Sequence, residues 1–129
     1  MKTLNLYKFE LYQTARELSR AAWRIYIQMP KQFQYCTGDQ LLRSADSVQA
    51  NIAEGQGRYH YKDKMKFGFN ARGSLLEALS WSEILLEREL IIPEDQKIFN
   101  DLCVKISFQL NGHIRHLHGK ATMPPKPTP

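Results

Sequence analysis

Two cysteines in 129 residues are too few for a disulfide framework. Cys36 and Cys103 also stand outside any C-x-x-C spacing, so a zinc or thiol-redox motif lacks its ligands and both are expected to be free thiols. No apolar run approaches the roughly 18 residues of a membrane-spanning helix. No basic and apolar leader with a small-residue cleavage site opens the chain, and the expectation is a cytoplasmic protein without membrane contact. Proline is scarce in the body: Pro124, Pro125, Pro127 and Pro129 crowd the end, which leaves Pro30 and Pro93 as interior breaks. No internal repeat of solenoid period is present. The Gly55-Gln56-Gly57 stretch has neither the lysine nor the strand context of a phosphate loop, and reads as a turn.

What remains is ordinary globular material, 43% hydrophobic and 24% charged, of a length that suits one domain. The formal charge of +5 and pI near 9.3 favour acidic partners, nucleic acid foremost.

The hydrophobic period is helical throughout. Leu11, Ala15, Leu18, Ala22 and Ile25 form one stripe of a first helix from about Leu6 to Met29, with Tyr12, Trp23 and Tyr26 widening it, and Pro30 ends it. The aromatic linker from Pro30 to Gly38 is expected to pack down. Thr37 or Asp39 is placed to cap a second helix, whose stripe is Leu41, Ala45, Val48 and Ile52, and Gly55 and Gly57 are placed to close it in a left-handed conformation. A third helix runs from Tyr61 to about Glu89. Met65, Phe69, Leu76, Leu79 and Leu86 line one stripe of it, and Phe67, Ala71, Leu75, Ala78 and Leu85 lie alongside, an apolar arc wide enough to predict a subunit interface. Pro93 suits the first position of a fourth helix carrying Ile98, Leu102, Ile106, Leu110, Ile114 and Leu117. Short links between long helices predict an all-α, antiparallel up-down-up-down four-helix bundle over residues 1–119. Residues 120–129 are expected to be a disordered or extended proline-rich tail.

The polar face of the second helix is unusual. Gln40, Ser44, Ser47, Asn51 and Glu54 recur at helical spacing where solvated helices carry lysine and glutamate, so this face is expected to meet protein. Together with Ser74 and Glu77 on the third helix they read as a structural polar network fixing bundle register. Paired acids at Glu54 and Glu77 also admit acid–base chemistry. No nucleophile, metal motif or Glu-x-x-His accompanies them, so no catalysis and no cofactor are expected. Gly73, mid-helix beside Ala71 and Ser74, is read as a point of close backbone approach, within the bundle or between subunits.

The run Gln40-Leu-Leu-Arg-Ser-Ala-Asp-Ser-Val-Gln-Ala-Asn-Ile-Ala-Glu-Gly55, followed about sixteen residues later by Ala71-Arg-Gly-Ser-Leu-Leu-Glu77, resembles the four-helix-bundle family encoded in intervening sequences of 23S ribosomal RNA genes. That family includes the accessory variability determinant proteins of diversity-generating retroelements. The resemblance implies a bundle that assembles as a ring-shaped homopentamer. Its retroelement branch implies a reverse transcriptase and its template RNA as partners; its other branch implies only an unknown role acting through protein–protein contact.

Two basic rows sharpen the functional expectation. Arg16, Arg20 and Arg24 sit four apart on the first helix, a like-charge row that Glu17 relieves in part. Arg58, Lys62 and Lys66 form a second row if the third helix begins early. A ring would multiply such rows, and nucleic-acid binding through them is expected. His113, His116 and His118 beside Arg115 near the end of the fourth helix suit its free carbonyls, or a phosphate, better than a metal.

Overall fold

The computed structural model describes residues 2–123, and the proline-rich stretch from Pro124 lies outside them. Among the described residues there are four long helices and no strand: α1 (Glu10–Gln28), α2 (Asp39–Gln56), α3 (Tyr61–Glu87) and α4 (Pro93–Thr122). None is long and apolar enough to cross a membrane. Each helix packs on the next and α4 returns to α1, so the four form an antiparallel square. The α3/α4 register is marked by Arg72 to Asn111 at 2.6 Å and Ser82 to Asn100 at 2.8 Å.

The expected α1 begins late because Phe9 adopts an extended backbone, φ −79° and ψ 113°, and a 3₁₀ segment Lys2–Lys8 precedes it. The Phe9 ring lies 5.1 Å from that of His113, pinning the entrance of α1 to the end of α4. Leu11, Tyr12, Ala15, Leu18, Ala22 and Ile25 are buried as their spacing requires, but Trp23 is exposed and stacks on Tyr26 at 5.6 Å. The linker is a turn, Lys31–Phe33, that runs through a π-helical turn, Gln34–Gly38, into α2. Phe33 packs against the core, whereas Tyr35 stands in solvent. Neither Thr37 nor Asp39 caps α2: Gly38 is already helical at its start, the Thr37 hydroxyl is buried without a partner, and Asp39 pairs with Arg43 at 2.8 Å.

Gly55 and Gly57 also act otherwise than expected, since no glycine here has positive φ. Gly55 lies within α2 because a Cβ there would stand 3.2 Å from Phe67 Cβ. The carbonyls of Gly55 and Gln56 instead accept hydrogen bonds from Lys64 Nζ, at 3.4 and 3.2 Å. Among the described residues the one left-handed position is Glu89 at φ 57°, where α3 stops in a Schellman arrangement: Glu89 N–H donates to Leu86 O and Leu90 N–H to Leu85 O.

On α3 the buried face is Gly68, Ala71, Leu75, Ala78, Ser82 and Leu85. The stripe through Met65, Phe69, Leu76, Leu79 and Leu86 lies at the edge, with Phe69 and Leu76 exposed. On α4 the core runs through Phe99 and Cys103 into Ile106, Leu110, Ile114 and Leu117; Ile98 is exposed and Leu102 half-buried. Steps of four residues drift by about 40° on a helix with 3.6 residues per turn, and that drift carries Ile98 off the face that Ile106 occupies. The glycine that allows close packing is Gly68, whose added Cβ would sit 3.0 Å from Ile114 Cγ1. Around Gly73 a Cβ would meet nothing within 4 Å, so its expected packing inside the bundle is absent. Finally, α4 continues past Gly119 to Thr122, taking the first three residues assigned to the tail into the helix.

Candidate nucleic-acid interface

The expected polar network contracts to three side chains. Ser47 and Ser74 hydroxyls join α2 to α3 at 2.9 Å, and Asn51 Nδ2 donates to Ser47 O at 2.8 Å and Ser47 Oγ at 3.0 Å. Ser44 is buried but bonds within its own helix, to Leu41 O. Gln40, Glu54 and Glu77 are exposed and stand outside the network. Glu54 instead pairs with Arg58 at 2.7 Å, and the shallow cavity it borders is lined by Ala50, Ala53, Gly57 and Arg58 without Glu77. The two glutamates therefore do not line a common cavity. Sequence spacing missed the bond between Ser82 and Asn100, although Ser82 falls in register with Ala71, Leu75, Ala78 and Leu85 and so had to be a buried hydroxyl needing a partner.

The cysteines are free, Cys36 exposed and Cys103 buried; burial pushes the Cys103 thiol up to about 12, which keeps it protonated. His113 is turned inward on Phe9, while His116 and His118 are exposed. Burial, then the nearby His116 and Lys64, hold the His113 imidazole below its ordinary value. Among the described residues no three His, Cys, Asp or Glu side chains gather as a metal would require.

The basic residues divide between two surfaces. Arg16, Arg20 and Arg24 are exposed along α1 as expected, and among the described residues none of them forms an ion pair. The second row is not a row. Because α3 begins at Tyr61, Arg58 lies outside it and packs over the Phe67 ring at 4.7 Å while pairing with Glu54; Lys62 and Lys66 alone share the exposed face.

The antiparallel packing supplies something the linear sequence did not announce. The start of α3 carries Lys62, Lys64 and Lys66 against Asp63, and Arg72 follows; the last half of α4 carries Arg115, Lys120 and three histidines, with no acid after Asp101. Both stretches meet at one end of the bundle, where His60, Lys62 and Lys120 line a common groove. The opposite halves of the same helices and the link between them hold Glu77, Glu83, Glu87, Glu89, Glu94, Asp95 and Asp101 against Arg88, Lys97 and Lys105, and Lys97 pairs with Asp101 at 2.9 Å. Within the α3/α4 pair one end is therefore predominantly cationic and the other predominantly acidic.

Comparison with known proteins agrees with the fold. The family model described as 23S rRNA-intervening sequence protein matches residues 7–112. A crystal structure from Bacteroides thetaiotaomicron, described as a protein with unknown function from the S23 ribosomal protein family, superposes with a TM-score of 0.75 at 24% identity, covering 81% of this chain and 97% of that one. No curated protein matches. The match spans α1 to α3 and most of α4, and takes in the whole of the Gln40–Gly55 and Ala71–Glu77 signature. The chain belongs to the family of 23S rRNA-intervening sequence proteins.

Proposed function

We propose that this protein is a non-catalytic, ring-forming scaffold that binds nucleic acid through its basic pole, with the arginine row of α1 as a flanking contact. The observation that carries the reading is the segregation of charge by the α3/α4 pair. A polyanion is the partner whose chemistry matches an excess of exposed lysine and arginine over acids, because releasing condensed counterions drives association. Among the described residues there is no sheet to present aromatic rings to bases, and the sequence has no helix-turn-helix pattern, so the binding is largely independent of sequence. Titrating labelled RNA and DNA at rising salt tests it: log K falls linearly with log salt, by about 0.7 to 0.9 per phosphate contacted. Failure to bind either polymer at low salt would overturn the reading.

Assembly follows from the apolar surface left uncovered. Phe69 and Leu76 flank Arg72 on α3, and Val104 and Phe108 approach its partner Asn111 on α4, so the four exposed side chains lie along one seam, with Phe108 82% exposed. Gly73 stands on α3 between Phe69 and Leu76 with open space above it, costing about 1 kcal/mol of helix stability with no return inside the chain. Both features fit close approach by a second copy, and five is the number of subunits that the family resemblance implies. Native mass spectrometry is expected to show five subunits of 15.0 kDa. Gly73→Leu is expected to dissociate them while leaving the helical content intact; a monomeric parent, or an unaffected variant, would contradict the interface.

The partner enzyme belongs to the same proposal. A nucleic-acid-processing enzyme, a reverse transcriptase in the retroelement branch of the family, would share the bound RNA with the ring, and sequencing of the flanking genes tests it: a reverse-transcriptase gene beside this one is the expected result.

A further inference from the structure

A groove of about 380 Å³ opens beside the first turns of α1, lined by Tyr7, Tyr12, Gln13, Arg16, Glu17 and Arg20. Its volume falls in the range that accepts one nucleotide-sized ligand. Its chemistry is specific. Tyr12 is buried and forms the floor; Tyr7 stands at a steep angle to it, 6.1 Å between centroids at 74°, and is 68% exposed, so most of its ring is open to solvent. Arg16 is held over the Tyr12 ring at 5.9 Å and donates from Nη1 to Tyr12 Oη at 3.2 Å. Gln13 Nε2 donates to Tyr7 O at 2.7 Å and ties the 3₁₀ segment to α1. The site is therefore preorganised, which lowers the ordering cost of binding.

An exposed aromatic ring next to two guanidinium groups that form no ion pair asks for a planar ring joined to an anion. Glu17 stands between Arg16 and Arg20 in sequence and adds an acceptor that repels phosphate but takes a hydrogen bond from an exocyclic amine or a ribose hydroxyl. We propose that this groove is a subsite for one nucleotide of a single-stranded nucleic acid: the base stacks on Tyr7, the flanking phosphates meet Arg16 and Arg20, and Glu17 receives the base amine or 2′-hydroxyl. Paired bases in a duplex present no free face to Tyr7, so the groove confers preference for unpaired strands. The inference rests on the nucleic-acid reading above and deepens it, since α1 starts at the basic pole and its arginine row leads away from it.

The test uses a labelled RNA of about 20 nucleotides, single-stranded or annealed to its complement, with the full chain. The parent is expected to favour the single strand. Tyr7→Ala is expected to lower single-strand affinity about fivefold or more with duplex affinity unchanged, and Tyr7→Phe to restore it, because stacking needs the ring and not the hydroxyl. A 4-thiouridine-substituted strand should crosslink at Tyr7. Equal affinity of parent and Tyr7→Ala for the single strand, with crosslinks elsewhere, would overturn the groove while leaving the scaffold reading intact; no binding of either RNA form would remove that reading itself. Uridine monophosphate binding as tightly as the strand would overturn the assignment to a polymer.

Discussion

Glutamine at four positions of the basic pole, Lys62→Gln, Lys66→Gln, Arg115→Gln and Lys120→Gln together, is expected to weaken RNA binding by a factor of about 300 to 600 near physiological salt. All four side chains are exposed, and glutamine matches lysine and arginine in helix propensity, so the fold and its melting should be unchanged. Each phosphate contact releases close to one counterion, which near 0.15 M salt is worth about a factor of five, and four such factors compound. The slope of log K against log salt should flatten by about 3. Lys31→Gln with Lys97→Gln, at the opposite end, is the matched control and should leave both quantities where they were. Fluorescence anisotropy across a salt series reads them directly, and an unflattened slope in the quadruple variant would place the contact elsewhere.

The second large effect concerns the core that holds α3 and α4 in register. Phe99 is fully buried and is the largest side chain so placed, so Phe99→Ala should cost about 3 to 5 kcal/mol from lost burial and the cavity left behind. That is a large share of the 5 to 15 kcal/mol typical of a whole domain. Ile98→Ala, one residue away on the 54% exposed face, should cost well under 1 kcal/mol. Urea unfolding of the two variants measures the difference. A larger loss at Ile98 than at Phe99 would mean that the apolar face of α4 had been assigned one residue out of phase.

That pair also shows how far the sequence could be read. Leu41, Ala45, Val48 and Ile52 were legible because α2 has polar residues on both sides of a narrow stripe, and all four are buried. On α3 and α4 apolar residues nearly surround the helix, and period alone could not choose between Ile98 and Phe99 or between Leu76 and Leu75. The packing of Gly68 on Ile114 chose for α3, through a contact 46 residues away in the chain that local pattern does not contain. Helix ends were misjudged for a related reason. Gly55 and Gly57 look like terminators, yet the left-handed position fell to Glu89, and the carbonyls at the end of α2 are met by Lys64 from the next helix. For the candidate interface, the arginine row of α1 could be read because it lies on one helix. The basic pole could not, because it exists only once α3 and α4 are folded against each other.

Hydroxyl-radical footprinting of the protein with and without bound RNA tests the central claim most directly, since oxidisable side chains mark both ends of the molecule. The basic pole carries Tyr59, Tyr61 and Met123, all exposed; Tyr35, also exposed, lies at the opposite end, away from the arginine row of α1. Binding at the basic pole predicts that RNA shields Tyr59, Tyr61 and Met123 and leaves Tyr35 as reactive as in the free protein. Shielding of Tyr35 with Tyr59 and Tyr61 unchanged would contradict the account.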